Sequence, residues 1–99
     1  MDKVEVLTLI STIESADEIG QQIPVETSRT VYCKIESITR AEWIAARQQE
    51  LAPEAVCKVF FADYSGERIA ELKGKRYNVY RVYEDGDYIE LYLGQRVGV

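Results

Sequence analysis

The strongest constraint on the fold is the alternation of apolar and polar residues along much of the chain. It is clearest at residues 28–38, where Val31, Cys33 and Ile35 are each followed by a residue suited to a solvent-facing position. Successive side chains of a β-strand point to opposite faces, so this pattern is typical of a strand with one buried face. The pattern predicts a mainly β fold.

Similar segments recur along the chain and are bounded by turn-forming residues. We predict strands at residues 4–14, 28–38, 55–63, 68–72, 76–84 and 88–96, the last two joined by a tight turn at Asp85-Gly86-Asp87. Residues 15–25 are polar and contain Gly20 and Pro24, so we expect a long exposed loop there.

One helix is predicted at about residues 39–51. Thr39 and Glu42 have the spacing of a capping box, and Pro53 prevents the helix from continuing. We expect its apolar face to lie on the sheet; that face comprises Trp43, Ile44, Arg47 and Leu51.

These elements fit into a single domain over residues 1–99, because a chain of 99 residues holds one core. Short turns between strands and one inserted helix predict an α+β fold that is mainly β. The expected architecture is a small antiparallel β-barrel of about six strands with one inserted helix.

The composition argues against an enzyme. The chain has no histidine, so its Ser, Thr and Cys residues lack the usual base, and its glycines are scattered singly at turns. No catalytic residue, cofactor or metal site is predicted. The acidic residues around Gly86 are interpreted as a solvated hairpin tip, since their spacing does not match a calcium loop; they are Glu84, Asp85, Asp87 and Glu90.

Cys33 and Cys57 lack metal-ligand or redox spacing. We expect two reduced, half-buried cysteines, although a disulfide between neighbouring strands stays open. The sequence has no apolar run of membrane-spanning length and no signal-peptide pattern, which predicts a cytoplasmic location.

The net charge of -5 is concentrated at the start of the chain. Residues 1–28 hold six acidic residues and one basic residue, whereas residues 29–99 are neutral. This distribution argues against bulk attraction to nucleic acid or to an anionic membrane.

A local nucleic-acid site is the alternative. Residues 73–83 mix Lys and Arg with Tyr, which on a barrel can bind phosphates and stack on bases. However, seven tyrosines and one tryptophan cannot all be buried in so small a domain, and exposed aromatic residues are typical of protein interfaces. A binding or assembly module is therefore favoured.

The order of features resembles the phage head-tail joining family, the connector components also called head-completion or stopper proteins. The resemblance covers nearly the whole chain and rests on a strand, a capped helix, an aromatic strand, a Gly-basic-x-Tyr strand and a terminal strand. In this chain they are Val31-Tyr32-Cys33-Lys34-Ile35, Ile38-Thr39-Arg40-Ala41-Glu42, residues 56–61, Lys73-Gly74-Lys75-Arg76-Tyr77-Asn78-Val79 and Glu90-Leu91-Tyr92-Leu93.

The resemblance implies a non-enzymatic virion part with a small β-barrel and one helix. Copies would form a ring, twelvefold in the family, between a portal or adaptor protein and a tail-side connector protein. The ring would retain packaged double-stranded DNA and offer a docking surface to the tail. The implied location is the head-tail interface of the virion, reached through the host cytoplasm, with no membrane partner.

Three hypotheses follow for particular residues. Acidic side chains near the first loop line the DNA channel and repel the duplex, namely Glu14, Asp17, Glu18 and Glu26. Residues 15–25 are mobile in the monomer and become ordered against neighbours in the ring. The helix contacts a neighbouring subunit or the portal through Arg40, Arg47 and Gln48.

Overall fold

The computed structural model describes residues 3–97 and contains six strands and one α-helix. In chain order they are β1 (Lys3–Ala16), β2 (Gln22–Glu36), α1 (Arg40–Gln48), β3 (Leu51–Phe60), β4 (Ile69–Leu72), β5 (Lys75–Asp85) and β6 (Tyr88–Arg96). A single 3-10 turn, Phe61–Asp63, follows β3.

The six strands close into an antiparallel barrel with the order β1-β2-β3-β6-β5-β4. Short β4 completes the ring, because it pairs with β5 on one side and with Leu7–Ile10 of β1 on the other. The predicted fold class, a small antiparallel barrel with one helix, is confirmed. Closure gives each strand a neighbour on both sides, although β2 meets β3 only at Lys34–Glu36.

The core lies inside the barrel and is formed by alternate residues of the strands. Leu7 and Leu9 of β1 and Leu91 and Leu93 of β6 are fully buried. The alternation predicted at residues 28–38 is confirmed: Val31 and Cys33 face the core, whereas Tyr32 is exposed.

The two cysteines also point into the core. Cys33 and Cys57 are free thiols, and both are buried rather than half-buried. A hydrogen bond with Cys33 and burial together raise the pKa of Cys57, so its thiol remains protonated.

The prediction of a long loop at residues 15–25 is wrong. β1 continues to Ala16 and β2 begins at Gln22, with paired residues in register along the hairpin. The turn residues are confined to the segment between these strands. Gly20 and Pro24 suggested a loop, but Gly20 occupies the turn at φ 86, and Pro24 lies where the strand has no neighbour on its outer side.

The helix begins as predicted but ends earlier. The side-chain oxygen of Thr39 accepts a hydrogen bond from the backbone N–H of Glu42 at 3.2 Å. The chain leaves the helix after Gln48, and Glu50 takes the left-handed conformation with φ 61. Leu51 already belongs to β3, where it pairs with Arg96. The predicted end at residue 51 is therefore wrong, because strand pairing takes over before Pro53 is reached.

β3 accommodates Pro53 at an irregularity in its pairing with β6. Pro53 lies opposite Gly94, and a side chain at position 94 would place its Cβ 2.8 Å from the carbonyl oxygen of Ala52. The close approach of β3 and β6 near the helix therefore depends on the absence of a side chain at Gly94.

Candidate interaction surfaces

The first candidate surface is the end of the β1–β2 hairpin, residues 11–27, which we call the arm. Beyond the barrel the two strands pair only with each other, since β4 contacts β1 only at Leu7–Ile10 and β3 contacts β2 only at Lys34–Glu36. Within residues 3–97, both outer edges of the arm lack a neighbouring strand. Such edges are where further strands or protein partners bind.

One face of the arm, which we call its apolar face, carries exposed aliphatic side chains interspersed with Ser11, Ser15 and Thr27. Ile13 pairs with Val25, and Ile23 lies two pairs further toward the tip, on the same face. This face continues the interior face of the barrel, because it follows Leu7 and Leu9 at alternate positions along β1. The side chains are nevertheless exposed, by 51% at Ile13, 42% at Ile23 and 37% at Val25.

Asp17 builds the turn at the tip of the arm. Its side-chain oxygen Oδ1 accepts hydrogen bonds from the backbone N–H groups of Ile19 at 3.0 Å and of Gln21 at 2.8 Å. This Asx-type arrangement holds the turn and leaves Glu18 and Ile19 projecting at the tip. Ile19 is 79% exposed.

The four acidic residues predicted to line a channel all lie on the arm but differ in their surroundings. Glu26 forms a bidentate ion pair with Arg76, with N–O distances of 2.9 and 3.0 Å. The hydrogen bonds and charge of Arg76 lower the pKa of Glu26. Asp17 accepts hydrogen bonds from two backbone N–H groups of the turn. Among residues 3–97, no basic group lies within ion-pair distance of Glu14 or Glu18.

A buried carboxylate fixes the base of the arm. Glu67 is 6% exposed, and its Oε2 accepts a hydrogen bond at 2.8 Å from Nε of Arg29 on β2. The other oxygen accepts from the backbone N–H of Ser65, and Arg29 also donates to the carbonyl of Asp63 at 2.6 Å. Burial raises the pKa of Glu67, but the Arg29 and backbone hydrogen bonds outweigh it and lower the pKa overall.

The second candidate surface is the outward face of α1, which we call the helix stripe. It consists of Arg40, Trp43, Ile44 and Arg47, spaced to lie on one side of a helix. Trp43 is 50% and Ile44 47% exposed, and the Arg47 guanidinium lies 5.6 Å from the centre of the Trp43 ring. The prediction that this face lies on the sheet is wrong.

The helix packs on the barrel through its other side. Ala46 is buried, and the carboxylate of Glu42 turns to β5, where it binds Arg81 at 2.8 Å and accepts from the Tyr80 hydroxyl at 3.1 Å. Arg81 in turn lies 4.3 Å from the centre of the Tyr92 ring. Sequence reasoning missed this cluster, because it assigned Glu42 to the cap and no local pattern links it to Tyr80, 38 residues away.

The predicted contact residues of the helix can thus be placed. Arg40 and Arg47 lie on the helix stripe, and Gln48 is exposed beside it. Among residues 3–97, no carboxylate forms an ion pair with Arg40 or Arg47. The stripe therefore combines two exposed apolar side chains with two uncompensated positive charges.

A third exposed surface is aromatic. The rings of Phe60 and Tyr88 are stacked at 4.9 Å, next to exposed Phe61 at the start of the 3-10 turn. Tyr32, which is 72% exposed, and Lys58 line the same concave surface. The sequence indicated that some aromatic residues would be exposed but not which ones.

The basic and aromatic side chains of residues 73–83 do not form a free phosphate-binding face. Tyr77 is buried in the core, Arg76 is paired with Glu26, and Arg81 is paired with Glu42. Two of the basic side chains that would bind phosphates are therefore already paired with carboxylates.

Neither a metal-binding cluster nor a membrane-spanning helix is found in the described part of the chain. Residues 3–97 contain no cluster of three or more Cys, Asp or Glu side chains suited to hold a metal. In the same range, no helix is long and apolar enough to cross a membrane.

A comparison with known protein families finds none that matches this chain, and a search among curated proteins finds no similar sequence.

Proposed function

We propose that this protein is a non-enzymatic structural component of a tailed phage or prophage particle. It forms part of the connector ring below the portal, where it retains packaged DNA and provides a docking surface for the tail. Its contacts are then a portal or adaptor protein, a tail-side connector protein and further copies of itself. Its place is the head-tail interface of the virion.

The observation that carries the proposal is the pair of exposed surfaces on one small barrel. The arm extends a two-stranded hairpin away from the core, and the helix stripe exposes Trp43 and Ile44 between two arginines. A barrel that functioned alone would gain nothing from leaving these apolar side chains in water, whereas exposed patches of this kind are typical of assembly surfaces. The order of strands and capped helix agrees with the family resemblance.

The test is quantitative mass spectrometry on purified tailed particles from the source phage or an induced lysogen. We expect this chain at about one ring of copies per particle, as the family resemblance implies. Complete particles that lack the chain would rule the proposal out. Affinity for single-stranded nucleic acid that falls steeply with salt would then become the property to measure.

The acidic face of the arm provides the contact with DNA in this proposal. Glu14 lies on the face opposite Ile13, and Glu18 lies at the tip, both exposed. Negative charge repeated around a channel would keep the duplex from adhering to the wall, so that it can slide during ejection.

The structure sharpens the mutations that test this role. Glu26 and Asp17 have structural partners, so their neutralisation would disturb the arm as well as its charge. Glu14→Gln combined with Glu18→Gln changes charge alone and is expected to alter genome retention or the rate of ejection. Glu84→Gln with Asp87→Asn, at the tip of the β5–β6 hairpin, is the matched control. Unchanged genome retention and ejection in the arm variant would rule out the proposed role of these residues in the channel.

A further inference from the structure

We propose that the arm of one copy docks on the helix stripe of the next copy, so that subunits associate head to tail. The apolar face of the arm covers Trp43 and Ile44, and the overall negative charge of the arm attracts Arg40 and Arg47. This contact deepens the proposed ring assembly and rests on it for its biological setting.

The two surfaces match in polarity. The arm carries three exposed aliphatic side chains on one face, Ile13, Ile23 and Val25, and a fourth, Ile19, at its tip. The helix stripe carries Trp43 and Ile44, each about half exposed. Burying these side chains against each other removes apolar surface from water on both sides, and a central aromatic anchor is typical of strong protein contacts.

The two surfaces also have opposite charge. No basic residue occurs between Val4 and Ser28, so every formal charge on the arm is negative. The charged groups of the helix stripe are Arg40 and Arg47, and among residues 3–97 neither forms an ion pair. Opposite charges steer the correct surfaces together, whereas arm against arm would be repelled.

One copy cannot satisfy both surfaces by itself. The arm lies at the start of β2, and α1 follows the end of the same 15-residue strand. At ~3.3 Å per residue the two ends of β2 are separated by on the order of 45 Å, within a molecule whose longest dimension is 51 Å. Different surfaces on opposite ends give a heterologous contact, which closes into a ring when the rotation between copies allows it.

Neither surface contributes a side chain to the buried core, which keeps mutations interpretable. The core at Leu7 and Leu9 lies outside the arm, and the helix is held to the barrel by Ala46 and Glu42 rather than by the stripe. Substitutions on the arm face or the stripe should therefore leave the monomer folded, as circular dichroism and thermal unfolding would verify.

Sedimentation velocity on the purified full chain, between about 10 µM and 1 mM, is the test. We expect the wild-type protein to associate with rising concentration, less so at high salt. An arm variant, Ile13→Asn with Ile19→Asn, and a helix variant, Trp43→Ser with Ile44→Ser, should each weaken self-association by at least about tenfold. Val82→Ser with Tyr83→Ser removes a comparable exposed pair from β5 and should leave it unchanged.

Mixing the two defective variants gives the decisive readout. The helix variant keeps an intact arm and the arm variant keeps an intact stripe, so one contact is restored per pair of chains. The mixture should form 1:1 heterodimers and nothing larger, because the remaining surfaces are both damaged.

Three results would overturn the inference: a wild-type chain that is monomeric at 1 mM, a helix variant that associates like the wild type, or a mixture that stays monomeric. The second result would point to arm-to-arm pairing through the open strand edges. None of these results bears on whether the chain is present in tailed particles, so the inference and the proposed function fail separately.

Discussion

The two halves of β1 differ sharply although they belong to one continuous strand. In the barrel half, Leu7 and Leu9 are completely buried. In the arm half, Ile13 faces the same side of the same strand but is 51% exposed. The backbone pairing with β2 runs unbroken through both halves, so hydrogen bonding alone does not distinguish them.

The two halves differ in their tertiary neighbours rather than in strand pairing, and we expect this to make the barrel half the more stable one. The barrel half has β4 on its outer edge and the opposite wall of the barrel over its face. The arm half has only β2, and an isolated two-stranded hairpin is marginally stable in water. An apolar face that stays exposed to water on such a hairpin is typical of a surface that binds a partner.

Hydrogen exchange should show the largest contrast between the two halves. We expect amides of Ile13 and Val25 to exchange by local opening in the monomer, orders of magnitude faster than amides of Leu7 and Leu91, which need global unfolding. Residue-resolved exchange by NMR on the isolated chain measures this. Equal protection in the two halves would show that the arm folds as one unit with the barrel.

Truncation of one aliphatic side chain in each half tests the same contrast through stability. Leu9→Ala should lower the free energy of unfolding by about 2–5 kcal/mol, because it leaves a cavity in the core. Ile13→Ala should change it by less than about 0.5 kcal/mol, since the side chain is already largely in water. Urea denaturation of the two variants provides the comparison. Similar losses for both would mean that the arm face has an intramolecular partner.

The junction between the halves depends on Arg29 and Glu67. Arg29→Met would leave the buried Glu67 carboxylate without its charged partner, and we expect a loss of about 1–3 kcal/mol in the free energy of unfolding. Arg76→Met is the matched control, because it breaks an ion pair between two exposed side chains, Arg76 on β5 and Glu26 on the arm. We expect a clearly smaller effect there. A loss as large in the control would show that the burial of Glu67 is irrelevant.

The same carboxylate predicts a dependence on pH. The pKa of Glu67 is lower in the folded chain than in the unfolded chain, so its contribution is fully present above the ordinary glutamate value of about 4.3. It declines as the pH falls below that value and is gone below the folded pKa. The wild type should therefore lose more stability between pH 5 and about pH 3 than Glu67→Gln does. Parallel pH profiles of the two proteins would contradict this.

How much the sequence predicts can be judged from the same regions. The alternation around Val31 and Cys33 predicted a strand with one buried face, because the rule behind it is local. The position at which the core ends is not determined by local sequence. Ile13 continues the alternation of Leu9, and it is exposed because β4 does not extend beside it. The loop prediction for residues 15–25 has a different origin, because Gly20 and Pro24 are typical of loops but lie here in the hairpin turn and on an outer strand edge.

The helix illustrates the same limit. Its start follows from Thr39 and its cap, which involve neighbouring residues. Its orientation depends on contacts of Glu42 with Tyr80 and Arg81, which lie 38 or more residues further along the chain. No pattern in the sequence predicts those contacts. The sequence analysis named Arg40, Arg47 and Gln48 as candidate contacts, and all three are exposed. It was wrong to place Trp43, Ile44 and Arg47 on the face toward the sheet.

The smallest expected effect concerns Glu26 and Arg76, which join the arm to β5. Both side chains are about half exposed, so water and salt compete with the ion pair. Glu26→Gln should leave the denaturation midpoint within measurement error, yet speed exchange of arm amides near Thr27 at low salt. At 1 M salt, where screening acts over about 3 Å, the variant and the wild type should exchange alike. A difference that persists at high salt would mean that packing rather than charge holds the base of the arm.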